Sequence, residues 1–502
     1  MDEMLRKILT SRVYEAAIET PLEMADSLSA SLDNRILLKR EDQQPVFSFK
    51  IRGAYNRIAH LSREERDRGI LAASAGNHAQ GVAFSARKLQ IRALIVMPAT
   101  TPQIKVDAVK HFGGEVVLHG ASYSEAAEHA EQLVRQQGMV FIHPFDDPLV
   151  IAGQGTVADE ILRQNPGELD AIFVPIGGGG LIAGIASYIK NLRPEVRVIG
   201  VEPTDSDAMA RSLGCGERVT LGTPGIFADG VAVKKVGSLT FELCRKYVDG
   251  IIRVSTDELC GAIKAVYQAT RSIVEPAGAL AMAGIQKHIR SCQCRGQTFV
   301  GVNSGANMNF ERLRYVAERT LIGEQLEALF AVSIPEKPGS LKQFCHDLVG
   351  ERNITEFNYR LSDRNRAQIF VGISIRSDEE RRSFGSQLYK AGYENRDLTD
   401  DDLAKNHIRY MVGGRSTAVR NERIFRFWFP ETPGALARFL DATRGSRNIS
   451  LFHYRMQGGD YGRVLIGFEF PEGDDVDLQK RLDALGYRYR EETDNPVYSL
   501  FL

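Results

Sequence analysis

Residues 171–181 read Ala171-Ile172-Phe173-Val174-Pro175-Ile176-Gly177-Gly178-Gly179-Gly180-Leu181. The apolar run before Pro175 predicts a buried strand, the four glycines predict a loop, and the segment from Leu181 onward predicts a helix. The uncharged stretch 171–189 is nominally long enough to span a bilayer. Pro175 and the glycines would break a spanning helix in its middle, so a strand, a loop and a helix are the better interpretation.

Short β-rich runs alternate with longer helical patterns on both sides of this unit, from about residue 36 to residue 320. The strand-like runs lie at 36–38, 93–97, 115–118, 172–174, 196–201 and 299–302. Such alternation predicts an α/β fold with parallel sheets covered by helices on both faces. Ligands of such folds bind at the carboxyl ends of the strands, so the loops there are the first candidates for a site.

An internal repeat begins after residue 320. Residues 335–341 return as 430–436 and residues 353–360 return as 448–455, both at an offset of 95, which Gly372 and Gly467 also keep. A duplication explains three matches in one register. Each copy reads as strand, Pro-Gly turn, helix, strand, strand, helix and strand, and carries no grouping of catalytic side chains. Binding modules are therefore expected, with a structural tail that only holds an oligomer as the alternative.

The expected domain boundaries are set by these patterns. A catalytic part of two α/β subdomains would span 1–320, the first module 327–398 and the second 424–502, with a solvated connection and helix start at 399–423 between them. A length of 502 residues agrees with about three domains. Composition is ordinary for a globular protein, with 43% hydrophobic and 25% charged residues.

The balance of charge excludes some classes of partner. Lys+Arg total 63 and Asp+Glu total 64, so the formal charge of −1 provides no field for nucleic acid or an anionic membrane. The acidic start is not followed by a signal-peptide pattern, and a cytoplasmic location is expected. The six cysteines are expected to be reduced thiols, and of these only Cys292 and Cys294 lie close together in the sequence.

A lysine lies in the segment Pro45-Val46-Phe47-Ser48-Phe49-Lys50-Ile51-Arg52-Gly53-Ala54-Tyr55. Ser48 is a candidate N-cap, which would place Lys50 in a first helical turn, where the helix dipole disfavours an ammonium. Phe49 and Ile51 lower the local polarity further. A lysine with a depressed pKa can form an imine with a carbonyl compound, whereas a solvated surface lysine is the ordinary alternative.

Two further segments follow predicted strands. Ser74-Ala75-Gly76-Asn77-His78-Ala79-Gln80-Gly81 would leave N–H groups free at a helix start for a carboxylate, with the Asn77 amide able to donate to an oxyanion. The alternative is a plain helix cap with His78 in the core. In Val302-Asn303-Ser304-Gly305-Ala306-Asn307, the Ser304 hydroxyl either meets a ligand or caps the next helix.

The tetraglycine loop itself suggests two ligands. Four glycines are costly in entropy, and a loop whose N–H groups converge on a phosphate at a helix start would justify them. The same stretch, 178–183, fits the dinucleotide pattern G-x-G-x-x-A, and Glu202 closes the following strand. A nicotinamide oxidoreductase is therefore a competing hypothesis, although it leaves Lys50 and Asn77 without a role.

Taken together, S-F-K-I-R-G-A-Y at 48–55, S-A-G-N-H-A-Q-G at 74–81, G-G-G-G-L at 177–181 and N-S-G-A-N at 303–307 resemble the fold-type II pyridoxal-phosphate enzymes of the tryptophan synthase β-subunit superfamily. The resemblance is closer to the threonine deaminase family, because it runs from about residue 10 to the end and includes the double tail. It implies a fold-type II catalytic part, followed by two α+β ACT-like regulatory modules.

The resemblance also implies residue roles. Lys50 would be the Schiff-base lysine, Phe49 would lie near the ring of pyridoxal 5'-phosphate, and Asn77 would bond its phenolic oxygen. Ser304 would face the pyridine nitrogen. The phosphate would be held by Gly177, Gly178, Gly179, Gly180 and Leu181. The substrate carboxylate would be received by Ser74, Ala75, Gly76, Asn77 and His78.

The implied reaction is β-elimination and deamination of L-threonine to 2-oxobutanoate and ammonia, with L-serine giving pyruvate. A serine at the pyridine nitrogen makes the ring a weaker electron sink and favours elimination over transamination. The family implies the first step of isoleucine biosynthesis in a homotetramer, inhibited by isoleucine and opposed by valine. Backbone donors at Pro338-Gly339 and Pro433-Gly434 are expected to contact these effectors.

Two departures from related enzymes carry further expectations. Serine-racemising relatives have a second serine where this chain has Ala75, which argues against racemisation. Relatives with a divalent-cation site have an Asp six residues after a Glu, whereas here Ala208 follows Glu202, so no divalent metal is expected. A catalytically silent amino-acid sensor is the remaining alternative, and the presence of Lys50 argues against it.

Overall fold

The computed structural model describes residues 2–120, 122–225, 227–310, 312–324, 326–337, 339–350, 352–361, 365–401, 404–405, 408–410, 416, 419–430, 434–443, 448–455, 461–470, 480, 482–484 and 486–495. The chain divides into two compact units, Met1–Thr320 and Leu321–Leu502. No helix in the described ranges is both long and apolar enough to cross a membrane.

The first unit alternates strands and helices. Its helices are α1 Glu3–Leu9, α2 Asp26–Ser31, α3 Lys50–Ala59, α4 Arg63–Arg68, α5 Asn77–Leu89, α6 Gln103–His111, α7 Tyr123–Gln137, α8 Pro148–Gln164, α9 Gly180–Leu192, α10 Ala208–Cys215, α11 Ser238–Tyr247, α12 Thr256–Thr270, α13 Pro276–Cys292 and α14 Arg312–Gly323. Its strands are β1 Leu22–Met24, β2 Arg35–Arg40, β3 Ile70–Ala73, β4 Ala93–Met97, β5 Glu115–Leu118, β6 Val140–Phe141, β7 Ala171–Pro175, β8 Arg197–Pro203, β9 Gly250–Val254 and β10 Thr298–Asn303.

These strands form two sheets, as the α/β pattern predicts. The larger has the order β1-β2-β10-β7-β8-β9, parallel except for the antiparallel edge strand β1. The smaller has the order β5-β4-β3-β6 and is parallel throughout. Every residue of β7 and of β10 is buried. This burial explains their continuous apolar runs, because helices cover both faces of a parallel sheet.

The order of the strands brings the predicted loops together. β7 and β10 are neighbours, so the tetraglycine loop and Ser304 leave the same edge of the larger sheet. β3 lies in the smaller sheet and leads into the segment that begins at Ser74. The two sheets thus deliver their carboxyl ends to one cleft, where parallel α/β folds bind ligands.

The second unit contains the two repeats. Its elements are β11 Glu327–Pro335, α15 Ser340–Phe344 with a π-helical turn Cys345–Val349, β12 Ile354–Arg360, β13 Arg366–Ser374, α16 Asp378–Lys390, β14 Glu394–Asp397, β15 Glu422–Pro430, α17 Ala435–Thr443, β16 Ile449–Arg455, β17 Tyr461–Glu469 and β18 Tyr489–Glu491. Strands β11, β12 and β13 have the same bounds as β15, β16 and β17 at the offset of 95. The first copy has the predicted order of strands and helices.

One antiparallel sheet of eight strands, ordered β14-β11-β13-β12-β16-β17-β15-β18, joins the two repeats. The junction is the pairing of β12 with β16, in which Asn358 lies opposite His453. These positions are themselves equivalents under the 95-residue offset, so a pseudo-twofold axis passes through this pair. Phe357 and Phe452, also equivalents, meet edge to face across it at 5.3 Å.

The connection between the modules is less solvated than its composition suggests. Of the acidic run 400–402, Asp402 lies outside the described residues. Arg409 is buried and its guanidinium bonds the carboxylates of Glu356 at 2.6 Å and Glu327 at 3.1 Å, both of which are also buried. The expectation of a solvated connection is therefore wrong at Arg409, because two buried carboxylates require a cation and the connection supplies it.

Candidate functional site

Lys50 is the first residue of α3. The N-cap of this helix is Phe49 and not Ser48, which corrects the expected cap. Ser48 instead forms a β-bridge with Gly305, and this tertiary pairing delays the helix start by one residue. Lys50 still occupies the first turn. Its Nζ donates to the Pro144 carbonyl at 2.9 Å, and burial lowers the pKa of the ammonium to about 8, against the opposing effect of Glu275.

The tetraglycine loop lies at the start of α9, a helix of thirteen residues. Gly179 has a φ of 94°, which favours glycine, and a Cβ on Gly178 would meet the Phe145 ring at 2.2 Å. The Thr240 hydroxyl donates to the Gly178 carbonyl at 2.6 Å. Across the described residues, none of the backbone N–H groups from Gly177 to Leu181 has a backbone acceptor. The loop therefore presents free backbone N–H groups at a helix N-terminus, and contacts with Thr240 and Phe145 fix its shape. This arrangement suits the binding of an anion.

The segment from Ser74 forms a second set of donors at the start of α5. The helix begins at Asn77 with Gly76 as its N-cap, and the space around Gly76 is open for 4 Å. The Asn77 amide donates to Glu275 Oε1 at 2.6 Å and accepts from Asn307 Nδ2 at 2.7 Å. Asn77 is thus held at both ends, while one of its two N–H groups remains for another acceptor.

The His78 side chain faces the core. Its Nε2 lies 2.9 Å from the Ile142 carbonyl, and burial together with the nearby Lys50 lowers the pKa of the imidazole to about 3. The ring is neutral at neutral pH. The sequence left open a core position for the His78 side chain, and this is the observed one. His78 is the second residue of α5, so only its backbone N–H is left to meet a ligand.

Ser304 follows β10 and forms hydrogen bonds both with α13 and with the segment that precedes α3. Its hydroxyl donates to the Ala277 carbonyl at 3.2 Å, and its own carbonyl accepts the Phe49 N–H at 3.2 Å. The Phe49 ring centroid lies 5.3 Å from Lys50 Nζ. The O–H···O contact is long for its type, so the hydroxyl is free to turn to another acceptor.

Sequence reasoning missed Glu275, which lies at the centre of the cleft. This buried carboxylate accepts from Asn77, and burial raises its pKa to about 7. It precedes Pro276 at the start of α13, a common place for an acidic residue, and that local role hides its contact with a side chain 198 residues away. Phe145 and Thr240 contact the glycine loop and were also missed, because these contacts are long-range and nothing in the local sequence indicates them.

The residues present fit a bound aldehyde cofactor with an anionic group. Two helix starts offer free N–H groups. Lys50, whose pKa is depressed, packs against α5 at Gly81 and donates to the carbonyl of Pro144, next to the Phe145 that packs on the glycine loop. Buried polar atoms without a hydrogen-bond partner lie in the same segments, namely Ser48 Oγ, His78 Nδ1 and both amide atoms of Asn303. Such atoms are rare in folded proteins unless a ligand or water completes them.

Glu202 does not serve a dinucleotide. The carboxylate is fully buried and accepts the N–H groups of Met209 and Ala210, and burial raises its pKa to about 8. A ribose hydroxyl has no access to it. The nicotinamide hypothesis therefore loses the acidic residue on which it depended.

Two clefts of the second unit are related by the repeat. One is lined by the turn at Gly339, by Tyr359 and by Asn448, and the other by Gly434, Tyr454 and Asn353. Each pair of counterparts differs by 95, so each cleft combines the turn of one module with the asparagine of the other. In the first cleft the Tyr359 hydroxyl donates to Glu336 at 2.7 Å, and burial raises the pKa of that carboxyl. Pro338 and Pro433 lie outside the described residues.

The fold and the lysine-centred cleft define a pyridoxal-phosphate-dependent enzyme. Residues 13–305 match the family described as "Pyridoxal-phosphate dependent enzyme", and residues 318–408 and 413–502 each match the "C-terminal regulatory domain of Threonine dehydratase". The cofactor of this enzyme is pyridoxal phosphate. The prediction of a fold-type II catalytic part with two regulatory modules is confirmed.

Relatives match over the whole chain. The chain is 57% identical to the L-threonine dehydratase biosynthetic IlvA of Burkholderia multivorans, covering all of this chain and 99% of that one. It is 52% identical to the Escherichia coli protein of the same name, with coverage of 100% and 97%. The chain therefore belongs to the threonine dehydratase family, whose members are pyridoxal-phosphate-dependent lyases.

Solved structures match somewhat less than two thirds of the chain. The processed form of threonine deaminase isoform 2 from Solanum lycopersicum is 50% identical, with a TM-score of 0.62 over 63% of this chain and 87% of that one. Maize serine racemase is 33% identical, with a TM-score of 0.59 over 64% of this chain and 98% of that one. The same catalytic fold thus carries more than one reaction, and the side chains of the cleft must decide between them.

Proposed function

We propose that the enzyme converts L-threonine to 2-oxobutanoate and ammonia, the first step of isoleucine biosynthesis, and L-serine to pyruvate. The observation that carries the proposal is the place of Lys50: its backbone packs against Gly81 of α5, and its Nζ donates to the carbonyl of Pro144, whose neighbour Phe145 packs against the glycine loop. Burial there also lowers the pKa of the ammonium to about 8. Relatives named threonine dehydratase, at 52–57% identity over the whole chain, support the choice of substrate. A cytoplasmic homotetramer remains the prediction from the resemblance.

Each predicted site residue receives a role in this proposal. Lys50 would hold the cofactor, and its amine would take the Cα proton of the substrate. Phe49 would border the cofactor ring, Asn77 would donate to the phenolic oxygen, and Ser304 would meet the pyridine nitrogen. The phosphate would be held by Gly177, Gly178, Gly179, Gly180 and Leu181, and the substrate carboxylate by the segment Ser74, Ala75, Gly76, Asn77 and His78. Within that segment the Ser74 N–H already donates to the Val96 carbonyl and the Gly76 N–H to the Ser74 hydroxyl, so the N–H groups of Ala75, Asn77 and His78 are the proposed donors.

The cofactor supplies an electron sink for the substrate carbanion. Ser304, and not a carboxylate, would face the ring nitrogen of the bound cofactor, so this chain would leave the electron sink weak, which favours elimination over transamination. Ala75 supplies no second base for the opposite face of the substrate, so we propose that racemisation is absent. With Ala208 following Glu202, no divalent cation is expected beside the cofactor.

A single set of assays tests the catalytic proposal. Purified protein should show the visible band of a lysine-bound cofactor, release keto acid from threonine and serine, and carry the borohydride label at Lys50. Lys50→Ala should lose ~10³-fold or more of the rate. Lys88→Ala, which removes an exposed lysine, is the matched control and should keep the rate. A labelled peptide that lacks Lys50, or a spectrum without the band, would overturn the proposal and favour a silent sensor.

We propose further that the two related clefts of the second unit bind the effectors isoleucine and valine. The turns at Gly339 and Gly434, predicted with Pro338 and Pro433 as effector contacts, line these clefts. A half-buried carboxylate such as Glu336 suits the ammonium group of an amino acid, while backbone donors suit its carboxylate. The first cleft carries Ser340 and Lys342 where the second carries Ala435 and Ala437, which provides for two sites of unequal affinity.

The regulatory proposal has a paired test. Threonine kinetics are measured with isoleucine and with valine in the wild type, Tyr359→Phe and Tyr454→Phe, which remove one hydroxyl from each cleft. Each variant should change the response to effectors without changing the rate at saturating threonine. Regulation requires an effector to bind two states of the enzyme with different affinity. Identical kinetics with and without isoleucine in the wild type would therefore reject this proposal alone.

The domain boundaries complete the proposal. We assign the catalytic part to 1–320, the first regulatory module to 327–398, the connection to 399–423 and the second module to 424–502. The division of the chain near residue 320 supports the first of these boundaries. Limited proteolysis with mass spectrometry should release a fragment that ends near residue 320, and cleavage within 150–300 first would contradict the assignment.

A further inference from the structure

A second group of reactive side chains lies at the far end of α13. His288 and Cys292 are one turn apart on this helix, so they share a face. Gln293 has a φ of 54° and closes the helix, which turns the chain so that Cys294 returns towards the helix end. One nitrogen of His288 and the two sulfurs all lie within 4.8 Å of one another. Three potential metal ligands are thus assembled by local geometry.

The cluster is separate from the cofactor cleft. Cys294 precedes the first residue of β10, whereas Ser304 follows the last residue of that strand. Glu275, which lies in the cofactor cleft, immediately precedes α13, and Cys292 ends this helix of seventeen residues. At 1.5 Å per residue the two ends are roughly 25 Å apart. The cluster therefore takes no part in the reaction proposed above.

The His288 ring is fixed and available. It packs against Phe173 and Phe299, with ring centroids at 5.5 and 5.7 Å. Over the described part of the chain, neither of its nitrogens has a hydrogen-bond partner. Burial and the nearby Arg197 lower the pKa of the imidazole. The ring nitrogen that lies within 4.8 Å of both sulfurs is the one that would bind an ion. A ring held by packing loses little entropy when it binds a metal.

We propose that His288, Cys292 and Cys294 bind one zinc ion per chain, with water in the fourth position. Two sulfurs and one imidazole are the ligand set of known zinc sites with an open position. On binding, the ion displaces one proton from each thiol and accepts a lone pair from the imidazole, so two protons are released. The resulting centre is neutral, which suits its position beside Arg197.

The surroundings permit entry of the ion. Cys292 is exposed, and His288 lines an open groove together with Lys287 and Ser291. The expectation of no divalent metal came from Glu202 and Ala208, which are not part of this cluster. The sequence paired Cys292 with Cys294 only by their spacing, and did not connect them with His288 because the helix bounds and the αL turn were unknown.

Zinc binding to the reduced, chelator-treated holoenzyme tests the proposal directly. The enzyme is titrated with zinc against a chromophoric chelator, and thiol alkylation is followed by peptide mass spectrometry. We expect one zinc per chain, release of two protons, and protection of Cys292 and Cys294 but not of Cys215. Cys292→Ser, Cys294→Ser and His288→Gln should each weaken binding by at least ~100-fold. Cys215→Ser removes an exposed thiol outside the cluster and should bind zinc as the wild type does.

The outcomes separate this proposal from the catalytic one. The wild type failing to bind zinc, or all three variants binding it unchanged, would overturn the site. Zinc that is lost only when pyridoxal phosphate is removed would also overturn it, since that ion would belong to the cofactor cleft. Alkylation of the wild type reports on the thiols even where a variant does not fold. Threonine deamination should be unchanged by zinc occupancy, so an inactive protein that binds zinc would contradict only the catalytic proposal.

Discussion

His346 Nε2 lies 2.9 Å from Asp441 Oδ1, and the 95-residue offset makes these two positions equivalents of each other. The helical segments of the two modules therefore face each other across the same pseudo-twofold axis that relates Asn358 to His453. The pair is chemically asymmetric, with an imidazole on one side and a carboxylate on the other. Lys342 also bonds Asp441, at 2.8 Å, and its counterpart is Ala437. The duplicated modules have thus diverged into complementary partners.

Asp441→Asn should destabilise the second unit slightly. The substitution removes the ion pair with Lys342, whose side chain is 38% exposed against 48% for Asp441, so solvent screens most of its energy. We expect a loss of about 1 kcal/mol or less in the free energy of unfolding. The hydrogen bond from Lys342 lowers the pKa of Asp441, so the stabilisation is present at neutral pH and is lost as pH falls through that pKa. Chemical denaturation at two pH values measures this, and a larger effect at low pH would contradict it.

Lys50 should react as an amine of pKa about 8. Below that value the neutral fraction rises about tenfold per pH unit, and above it the fraction levels off. Trace acetylation of the apoenzyme, read by peptide mass spectrometry, gives this profile. Glu275→Gln removes the carboxylate that opposes the shift and should move the profile to lower pH. Glu115→Gln, at an exposed ion pair with Arg92, is the control and should leave it in place. A midpoint near the ordinary value of lysine would contradict the assignment.

The sequence predicted those parts of the fold that periodicity and repetition encode. The strand of 171–175, the glycine loop and the following helix were all found in place, and the offset of 95 recurs in the strand bounds. Two features of the fold could not be predicted from the sequence. The order of strands, which makes β7 and β10 neighbours, depends on long-range pairing, and nothing local indicates that the modules share one sheet through β12 and β16.

A sequence shows local patterns but not long-range contacts, and this limit also decides which residues of the site could be predicted. Lys50, Asn77, Gly178 and Ser304 lie in segments whose local composition is unusual, and so could be proposed as site residues from the sequence. Glu275 has an ordinary local explanation as the residue before a helix-starting proline, so only its position in space reveals it. The predicted N-cap at Ser48 was wrong for a similar reason. Ser48 forms a β-bridge with Gly305, a long-range contact, in place of the local capping hydrogen bond that the sequence suggested.

Thr240→Val should weaken the binding of pyridoxal phosphate. The Thr240 hydroxyl donates to the Gly178 carbonyl and so holds the glycine loop in the shape that exposes its N–H groups. Losing one buried hydrogen bond costs ~1.4 kcal/mol, or about tenfold in the Kd of the cofactor. At saturating cofactor, the rate should remain close to that of the wild type. Thr240→Ser keeps the hydroxyl and is the control. Fluorescence titration of the apoenzymes measures the Kd, and equal values for the two variants would reject the role.

Glu160→Gln should cost far more stability than any exposed charge. Glu160 belongs to a fully buried network, in which its carboxylate accepts from Lys39 at 2.6 Å and from Arg52 at 2.6 Å. Glutamine keeps the shape but leaves two buried cations with Glu41 as the remaining carboxylate partner of Arg52. A loss of ~3–5 kcal/mol in the free energy of unfolding is expected, because an uncompensated buried charge cannot be hydrated.

The matched control is Glu131→Gln, which breaks the exposed pair with Arg135 on α7 and should cost about 0.5 kcal/mol or less. Arg52 lies two residues after Lys50 on α3, so the network also fixes the start of the helix that carries the reactive amine. Glu160→Gln should therefore weaken cofactor binding as well as stability, whereas Glu131→Gln should change neither. Denaturant unfolding together with cofactor titration distinguishes the two effects. A Glu160→Gln protein as stable as the control would show that the buried network contributes no net stability.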